Sequence, residues 1–188
     1  MKAAILDQYD RQGTPLWVCD IPDPTVGPDD VLVRVTFAGV NPLDNMIVCG
    51  EVKLIVPYRM PLTMGNEFVG VVERTGTQVT RFSAGERVYG RMPLDSIGAF
   101  AQFVSIPQSA LEATPEYMND EEAACVPLTA LPAWQAYEFM HVAEGGRLFI
   151  SGTTGSLGAM AVQSHATWAS RCLSVVELPA GGACSTWA

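Results

Sequence analysis

Three glycines, Gly152, Gly155 and Gly158, stand at G-x-x-G-x-x-G spacing inside the stretch ISGTTGSLGAM. The apolar run GGRLFISG leads into them, and SLGAMAV, with helical spacing, leads out. A glycine turn between a strand and a helix suits a pyrophosphate. Without a Cβ the backbone can approach the phosphates closely, and the amino terminus of the helix offers N–H groups that have no intrahelical acceptor. Gly152, Gly155, Ser156, Leu157 and Gly158 are therefore candidate cofactor-binding residues, with a tight turn that holds no ligand as the competing reading. A second constellation is Asn41-Pro42-Leu43-Asp44, which follows the β-rich run VLVRVTFAGV. Taken alone, an Asn-Pro step reads as a turn.

The composition narrows what such residues can serve. A chain of 188 residues, 48% hydrophobic and 16% charged, is long enough to bury a substantial core. Its net charge of −9 disfavours nucleic acid as a partner. The cysteines, Cys19, Cys49, Cys125, Cys172 and Cys184, are odd in number and form no C-x-x-C pair, which suggests neither a disulfide framework nor a zinc cluster. Free thiols in a reducing cytoplasm are expected. The apolar run at the amino terminus is too short for a signal peptide, and no run reaches the roughly 18 residues that cross a bilayer. A soluble cytoplasmic protein with no membrane partner is expected.

The elements that must position these residues fall into two textures. Up to about Pro107, short β-rich runs at Ala3–Leu6, Leu16–Cys19, Val31–Phe37, Phe68–Thr75, Arg87–Gly90 and Ala99–Ser105 alternate with Gly and Pro breaks. They predict a compact, partly closed antiparallel barrel. From Asn119 the pattern turns helical. Asn119 is a cap with Asp120, Glu121 and Glu122 in the first turn, and Pro127 is expected to end that helix. ALPAWQAYEFM predicts a second helix, with Pro132 tolerable only near its first turn.

Read in order, VLVRVTFAGVNPLDNMIVCGEV, PLTMGNEFVGVVERTGTQVTRFSAGERVYG, GAFAQFV, EAACVPLTALPAWQAY and GRLFISGTTGSLGAMA resemble the medium-chain dehydrogenase/reductase superfamily, nearest its zinc-free quinone oxidoreductase branch. The resemblance runs from Met1 to about Gln163. It implies a β-rich GroES-like partial barrel over 1–118, then connecting helices and the first βα unit of an α/β Rossmann segment over 119–163. It also implies NADPH as cofactor, with NADH as the alternative, and a quinone or α,β-unsaturated carbonyl compound as substrate. Zinc enzymes of the superfamily place a cysteine and a histidine ligand where this chain has Asn41 and Asn66. Neutral amides are poor zinc ligands, so no catalytic metal is expected. Asn41 and Asp44 then match the N-x-x-D site of the quinone reductases and are the candidate catalytic residues. Glu67 is expected to hold barrel loops together, Tyr58 and Arg59 to be solvated loop residues, with lining of the substrate cleft as the alternative, and His141 to sit at a helix end.

Three departures accompany the resemblance. Pro132 replaces a threonine beside the nicotinamide carboxamide, and Thr153 puts a β-branched residue in the glycine turn. After Gln163 the pattern dissolves, leaving 164–188 as a divergent tail. CLSVVE reads as a second strand ending at Glu177, or else the tail reflects a shifted reading frame. On the second view the Rossmann segment is incomplete. Leu148, Phe149, Ile150, Leu157, Met160 and Val162 would then lose burial, the family's dimer contact would be absent, and the chain would be a truncated, inactive relative rather than an enzyme.

Overall fold

The computed structural model describes residues 1–12, 16–141, 147–165 and 171–174. The chain divides into two compact units, Met1–Pro127 and Leu128–Ala188. The first unit carries β1 (Lys2–Leu6), β2 (Trp17–Asp20), β3 (Asp30–Ala38), β4 (Leu62–Thr63), β5 (Glu67–Thr75), β6 (Arg87–Arg91), β7 (Phe103–Pro107) and β8 (Leu111–Ala113). A five-stranded sheet in the order β7-β3-β5-β6-β8 and a three-stranded sheet β2-β1-β4 make a curled antiparallel half-barrel. An isolated bridge between Ala3 and Ala101 joins the two sheets, helped by the Ala4 N–H donating to Phe100 at 2.8 Å. Val31, Val33, Phe68, Val72, Val88 and Ile106 fill the space between them with Met64 and Ile47.

All six predicted β-rich runs contain a strand. Along β3 the alternation fails at Leu32, which is buried together with Val31 and Val33. The register against β5 shifts between Leu32 and Val33, and such an irregularity re-aims the side chains on either side of it. β4 and β8 have no counterpart among those runs, because two or three residues carry no periodicity and take their conformation from the strands beside them. The segment after Asn41 is a helix, α1 (Pro42–Val48), and not just a turn. Pro42 holds its first position, where the missing N–H costs nothing and the fixed φ suits a helix.

The predicted helix start holds at Asn119. α2 (Asp120–Ala123) is closed by a capping box: Asn119 Oδ1 accepts from the Glu122 N–H at 2.8 Å, and Glu122 Oε2 accepts from the Asn119 N–H at 3.1 Å. Changing Asn119 to alanine is expected to cost about 1 kcal/mol in urea unfolding, with serine restoring most of it. The helix packs within the first unit, its Ala123 and Ala124 against Val69. Arg87 fixes it there, with Nη2 2.5 Å from Asp120 Oδ1, while Thr36 Oγ1 donates to Asp120 Oδ2 at 2.8 Å. The Arg87 hydrogen bond, against the opposing effect of burial and with help from Thr36, holds the Asp120 carboxyl below its ordinary 3.8. Its contribution to stability is therefore fully present above that ordinary value and is lost as pH falls through the lower folded value. Asp120→Asn is expected to flatten this acid limb, read as the urea midpoint against pH.

In the second unit α3 (Pro127–Met140) opens on a proline, so Pro127 starts a helix, while α2 ends at Ala123. Pro132 corrects the expectation for that residue. It lies well inside α3, because the helix begins earlier than ALPAWQAYEFM suggests, and it withholds the N–H that would reach the Leu128 carbonyl. His141 closes the helix at φ +49° with its N–H on Glu138, as expected for a helix end. β9 (Arg147–Ile150) leads through the glycine turn into α4 (Ser156–His165), and β10 (Arg171–Ser174) follows. β10 runs parallel to β9 in register from Arg171↔Arg147 to Ser174↔Ile150. The strand reading of CLSVVE thus holds as far as Ser174, and β9 has a parallel neighbour. Glu177 and the rest of the tail lie outside the described residues. Phe149 and Leu157 are 65% and 52% exposed, while Leu148, Ile150, Met160 and Val162 are half-buried. Tyr137, buried on α3, donates its hydroxyl to the Ala161 carbonyl. Among the described residues no helix is long and apolar enough to cross a membrane.

Candidate functional site

In the first unit the site grows from the end of β3. The chain leaves that strand at Ala38, and Asn41 becomes the residue before α1, with Asp44 at the third helical position. That spacing lets the Asp44 carboxylate reach back: Oδ2 accepts from the Asn41 backbone N–H at 2.7 Å. The Asn41 side chain turns elsewhere, donating Nδ2 to Glu67 Oε1 at 2.7 Å. Asn66, just before β5, donates Nδ2 to Asp44 Oδ1 at 2.8 Å. Two carboxylates and two amides, drawn from the β3–α1 corner and the entry to β5, thus form one network. Asp44, Asn66 and Glu67 are 4%, 1% and 1% exposed, whereas Asn41 is half-exposed.

These contacts give each residue a physical part. Both Asp44 oxygens are engaged by protein donors. Burial raises its carboxyl above the ordinary carboxylate value, opposed by the bonds from Asn41 and Asn66. Asp44 is therefore a positioning residue, fixing the main chain at Asn41 and the amide of Asn66. Because Nδ2 of Asn41 is committed to Glu67, its Oδ1 is turned away from that carboxylate. Glu67 holds the loop before α1 to the sheet, as expected. Among the described residues no three His, Cys, Asp or Glu side chains gather so as to hold a metal ion. The amides at 41 and 66 both spend a donor on a carboxylate.

The second candidate cluster lies wholly in the second unit. Gly152 turns the chain after β9 at φ +69°, a left-handed conformation that costs glycine nothing. The Gly155 N–H returns to the Gly152 carbonyl at 3.1 Å, closing the turn. Gly158, in the first turn of α4, lies against that turn: a Cβ there would overlap the Gly152 carbonyl oxygen and stand 2.8 Å from Thr153 Cα. Gly152, Gly155, Ser156 and Leu157 are exposed, and the first intrahelical bond runs from the Ala159 N–H to the Gly155 carbonyl at 2.8 Å. The N–H groups of the first turn of α4 thus open on a backbone surface bare of side-chain bulk, which fits a pyrophosphate. Thr153 needs no special freedom, since His141 is the only non-glycine residue at positive φ among those described.

The sequence reads Tyr58 as a solvated loop residue, but it is half-buried and packs on the core of the barrel. Burial, with Tyr9 and then the opposing Arg91 as the next influences, raises its phenol above 10.0. Tyr9 and Arg91 carry no sequence signal: a lone tyrosine after a strand and a lone arginine at a strand end are ordinary surface residues. Arg59 is exposed, as expected.

Residues 27–116 match the family described as Alcohol dehydrogenase GroES-like domain. Over 171 residues the chain is 25% identical to a Dictyostelium discoideum protein named NAD(P)H oxidoreductase RTN4IP1, mitochondrial, covering 87% of this chain and 49% of that one. Among solved structures, an alcohol dehydrogenase superfamily protein from Novosphingobium aromaticivorans superposes with a TM-score of 0.86 at 26% identity, over 93% of this chain and 52% of that one. The quinone oxidoreductase of Thermus thermophilus, whose structures include a complex with NADPH, gives a TM-score of 0.77 at 30% identity over 93% and 52%. The chain spans about half the length of these proteins.

Proposed function

Because the chain belongs to the medium-chain dehydrogenase/reductase superfamily, with a GroES-like domain of quinone oxidoreductase type, we propose that it serves NADPH-dependent, zinc-independent reduction of quinones or α,β-unsaturated carbonyl compounds. The observation that carries the reading is the glycine turn seated against the amino terminus of α4 directly after β9. Gly152, Gly155 and Gly158 supply the close approach, and the backbone N–H groups of Ser156, Leu157 and Gly158 would hold the pyrophosphate. The cofactor, once bound, supplies a hydride at the nicotinamide ring.

The remaining work is positioning. Glu67 fixes the Asn41 amide from one side while Asp44 fixes its main chain from the other, so Asn41 presents a half-exposed, oriented amide to a substrate oxygen. Val40 and Met46, 78% and 40% exposed, flank it in sequence with apolar surface suited to a quinone ring. An amide pair at 41 and 66 offers neither thiolate nor imidazole to a zinc ion, which supports a route without one. For location we keep the cytoplasm, on the strength of the scattered cysteines, although the Dictyostelium relative is named mitochondrial. Cell fractionation reads that directly.

Titration of the purified chain with NADPH and with NADH, followed by nicotinamide fluorescence, tests the reading. Micromolar binding, tighter for NADPH, is the expected result. Silence with both nucleotides into the millimolar range would overturn it.

A further inference from the structure

The turn that follows α1 carries apolar side chains into solvent on a braced backbone. Cys49 closes the helix with its N–H on the Asn45 carbonyl at 2.9 Å, and Gly50 turns the chain at φ +71°. The Glu51 N–H then returns to the Met46 carbonyl at 2.9 Å, and the Ile55 and Val56 N–H groups both reach the Val52 carbonyl at 2.9 Å. Val52 on one side, with Tyr58 and Met60 on the other, packs against the core of the half-barrel. Between these footings Leu54 and Ile55 are 92% and 82% exposed, Leu54 more than any other large apolar side chain among the described residues. Lys53 stands directly before the pair and Arg59 four residues after it, and both are exposed.

The charge and the shape of this tip select its partner. None of the ion pairs among the described residues includes Lys53 or Arg59. From Met46 to Met60 these two cations stand against a single acid, Glu51, in a chain whose net charge is −9. Other elements bring up Asp10, whose N–H donates to the Val48 carbonyl at 2.9 Å and whose carboxylate accepts from the Gln12 N–H at 2.8 Å, and Asp95, which acts on Tyr58. Neither joins Lys53 or Arg59 in an ion pair. Two adjacent side chains on a tight turn fall well short of the roughly 800 Å² a side that a stable protein interface buries. A fluid bilayer asks for no matching surface: apolar tips enter the boundary of the acyl chains while flanking Lys and Arg stems reach back to the headgroups. Anionic lipid adds an attraction for each cation.

We propose that the turn from Lys53 to Arg59 is a membrane-surface anchor, in which Leu54 and Ile55 enter an anionic lipid interface and Lys53 and Arg59 pair with its headgroups. The expectation of no membrane partner looks to long apolar runs, which a two-residue tip does not form. α1 has seven residues and spans about 10 Å, so the anchor is one short helix away from Asn41. The inference stands apart from the reductase reading, and its test uses no nucleotide. Flotation of the full chain with vesicles of phosphatidylcholine containing about one-third phosphatidylserine is expected to show binding at submillimolar lipid, weakened about tenfold on phosphatidylcholine alone. The Leu54→Ser/Ile55→Ser double variant is expected to bind at least about tenfold more weakly to both compositions. Lys53→Gln/Arg59→Gln is expected to lose about tenfold on the mixed vesicles and nothing on phosphatidylcholine alone. Phe139→Ser, at a side chain 85% exposed in the second unit, is expected to leave binding unchanged. No flotation of the parent chain into the millimolar range of lipid would overturn the proposal, as would undiminished binding of the Leu54→Ser/Ile55→Ser variant or an equal loss in Phe139→Ser. So would a lipid-free dimer that the Leu54→Ser/Ile55→Ser pair makes monomeric on size-exclusion chromatography, because a second copy would then cover the tip.

Discussion

Replacing Asp44 with alanine is expected to destabilise the protein by about 3 kcal/mol, the largest effect of any single change at the site. The substitution strips the acceptor from two donors at once, the Asn41 backbone N–H and Nδ2 of Asn66, in a place where Asp44 is 4% exposed and water does not substitute. Each abandoned donor costs about 1 to 3 kcal/mol, and part of the sum returns because a buried carboxylate no longer has to be kept ionised. Asp44→Asn keeps the shape and one acceptor oxygen but sets an amide donor against Asn66, so a loss of about 1 to 2 kcal/mol is expected. The pH dependence separates the two variants from a generic packing defect. Burial raises the Asp44 carboxyl, so ionising this group costs stability as pH rises from its ordinary value through its folded one. Both variants are expected to lose that component, read as the difference in urea midpoint from the unaltered chain across the acid range. An alanine variant as stable as the parent would show that the network is decoration.

Valine at position 158 is expected to reduce NADPH affinity by at least about a hundredfold, equivalent to about 3 kcal/mol of binding. The neighbour that a Cβ would meet there is backbone, the Gly152 carbonyl, rather than a side chain that can swing away. Either the turn opens or α4 retreats from it, and each alternative spoils the surface formed by Gly152, Gly155 and the first N–H groups of α4. Nicotinamide fluorescence titration measures the loss, and thermal melting checks that the antiparallel half-barrel is intact. Full affinity in the variant would dissociate nucleotide binding from this turn.

Much of this arrangement is legible without coordinates, for identifiable reasons. The barrel strands show because Val31, Val33, Phe68, Val72 and Val88 must face one core, and Gly and Pro mark the breaks between them. Asn119 shows because a cap needs a short acceptor side chain and an acid three residues later. The glycine turn shows because strand, turn and helix follow in order. Other features depend on distance in space. α1 is too brief for periodicity to separate it from an Asn-Pro turn. The start of α3 at Pro127 hides because proline at a first helical position and proline as a terminator look alike in one sequence. Asp44 is visible as a site residue only through resemblance, and its role as a brace for Asn41 and Asn66 requires knowing that residue 66 comes to lie beside residue 44. Tyr9 and Arg91 give no signal at all, since the burial of the Tyr9 hydroxyl and of Arg91 Nε exists only in the folded state.

The brace also has a consequence for how this position can change. Asp44 grips position 41 through its main-chain N–H, a group that every residue except proline supplies, whereas it grips position 66 through a side chain. The Asp44 contact is therefore blind to the identity of residue 41 and sensitive to that of residue 66, whereas the Glu67 contact requires a side-chain donor at residue 41. A library randomised at position 41 would keep the Asp44 contact in every member but proline and lose the bond to the buried Glu67 carboxylate wherever the new side chain cannot donate.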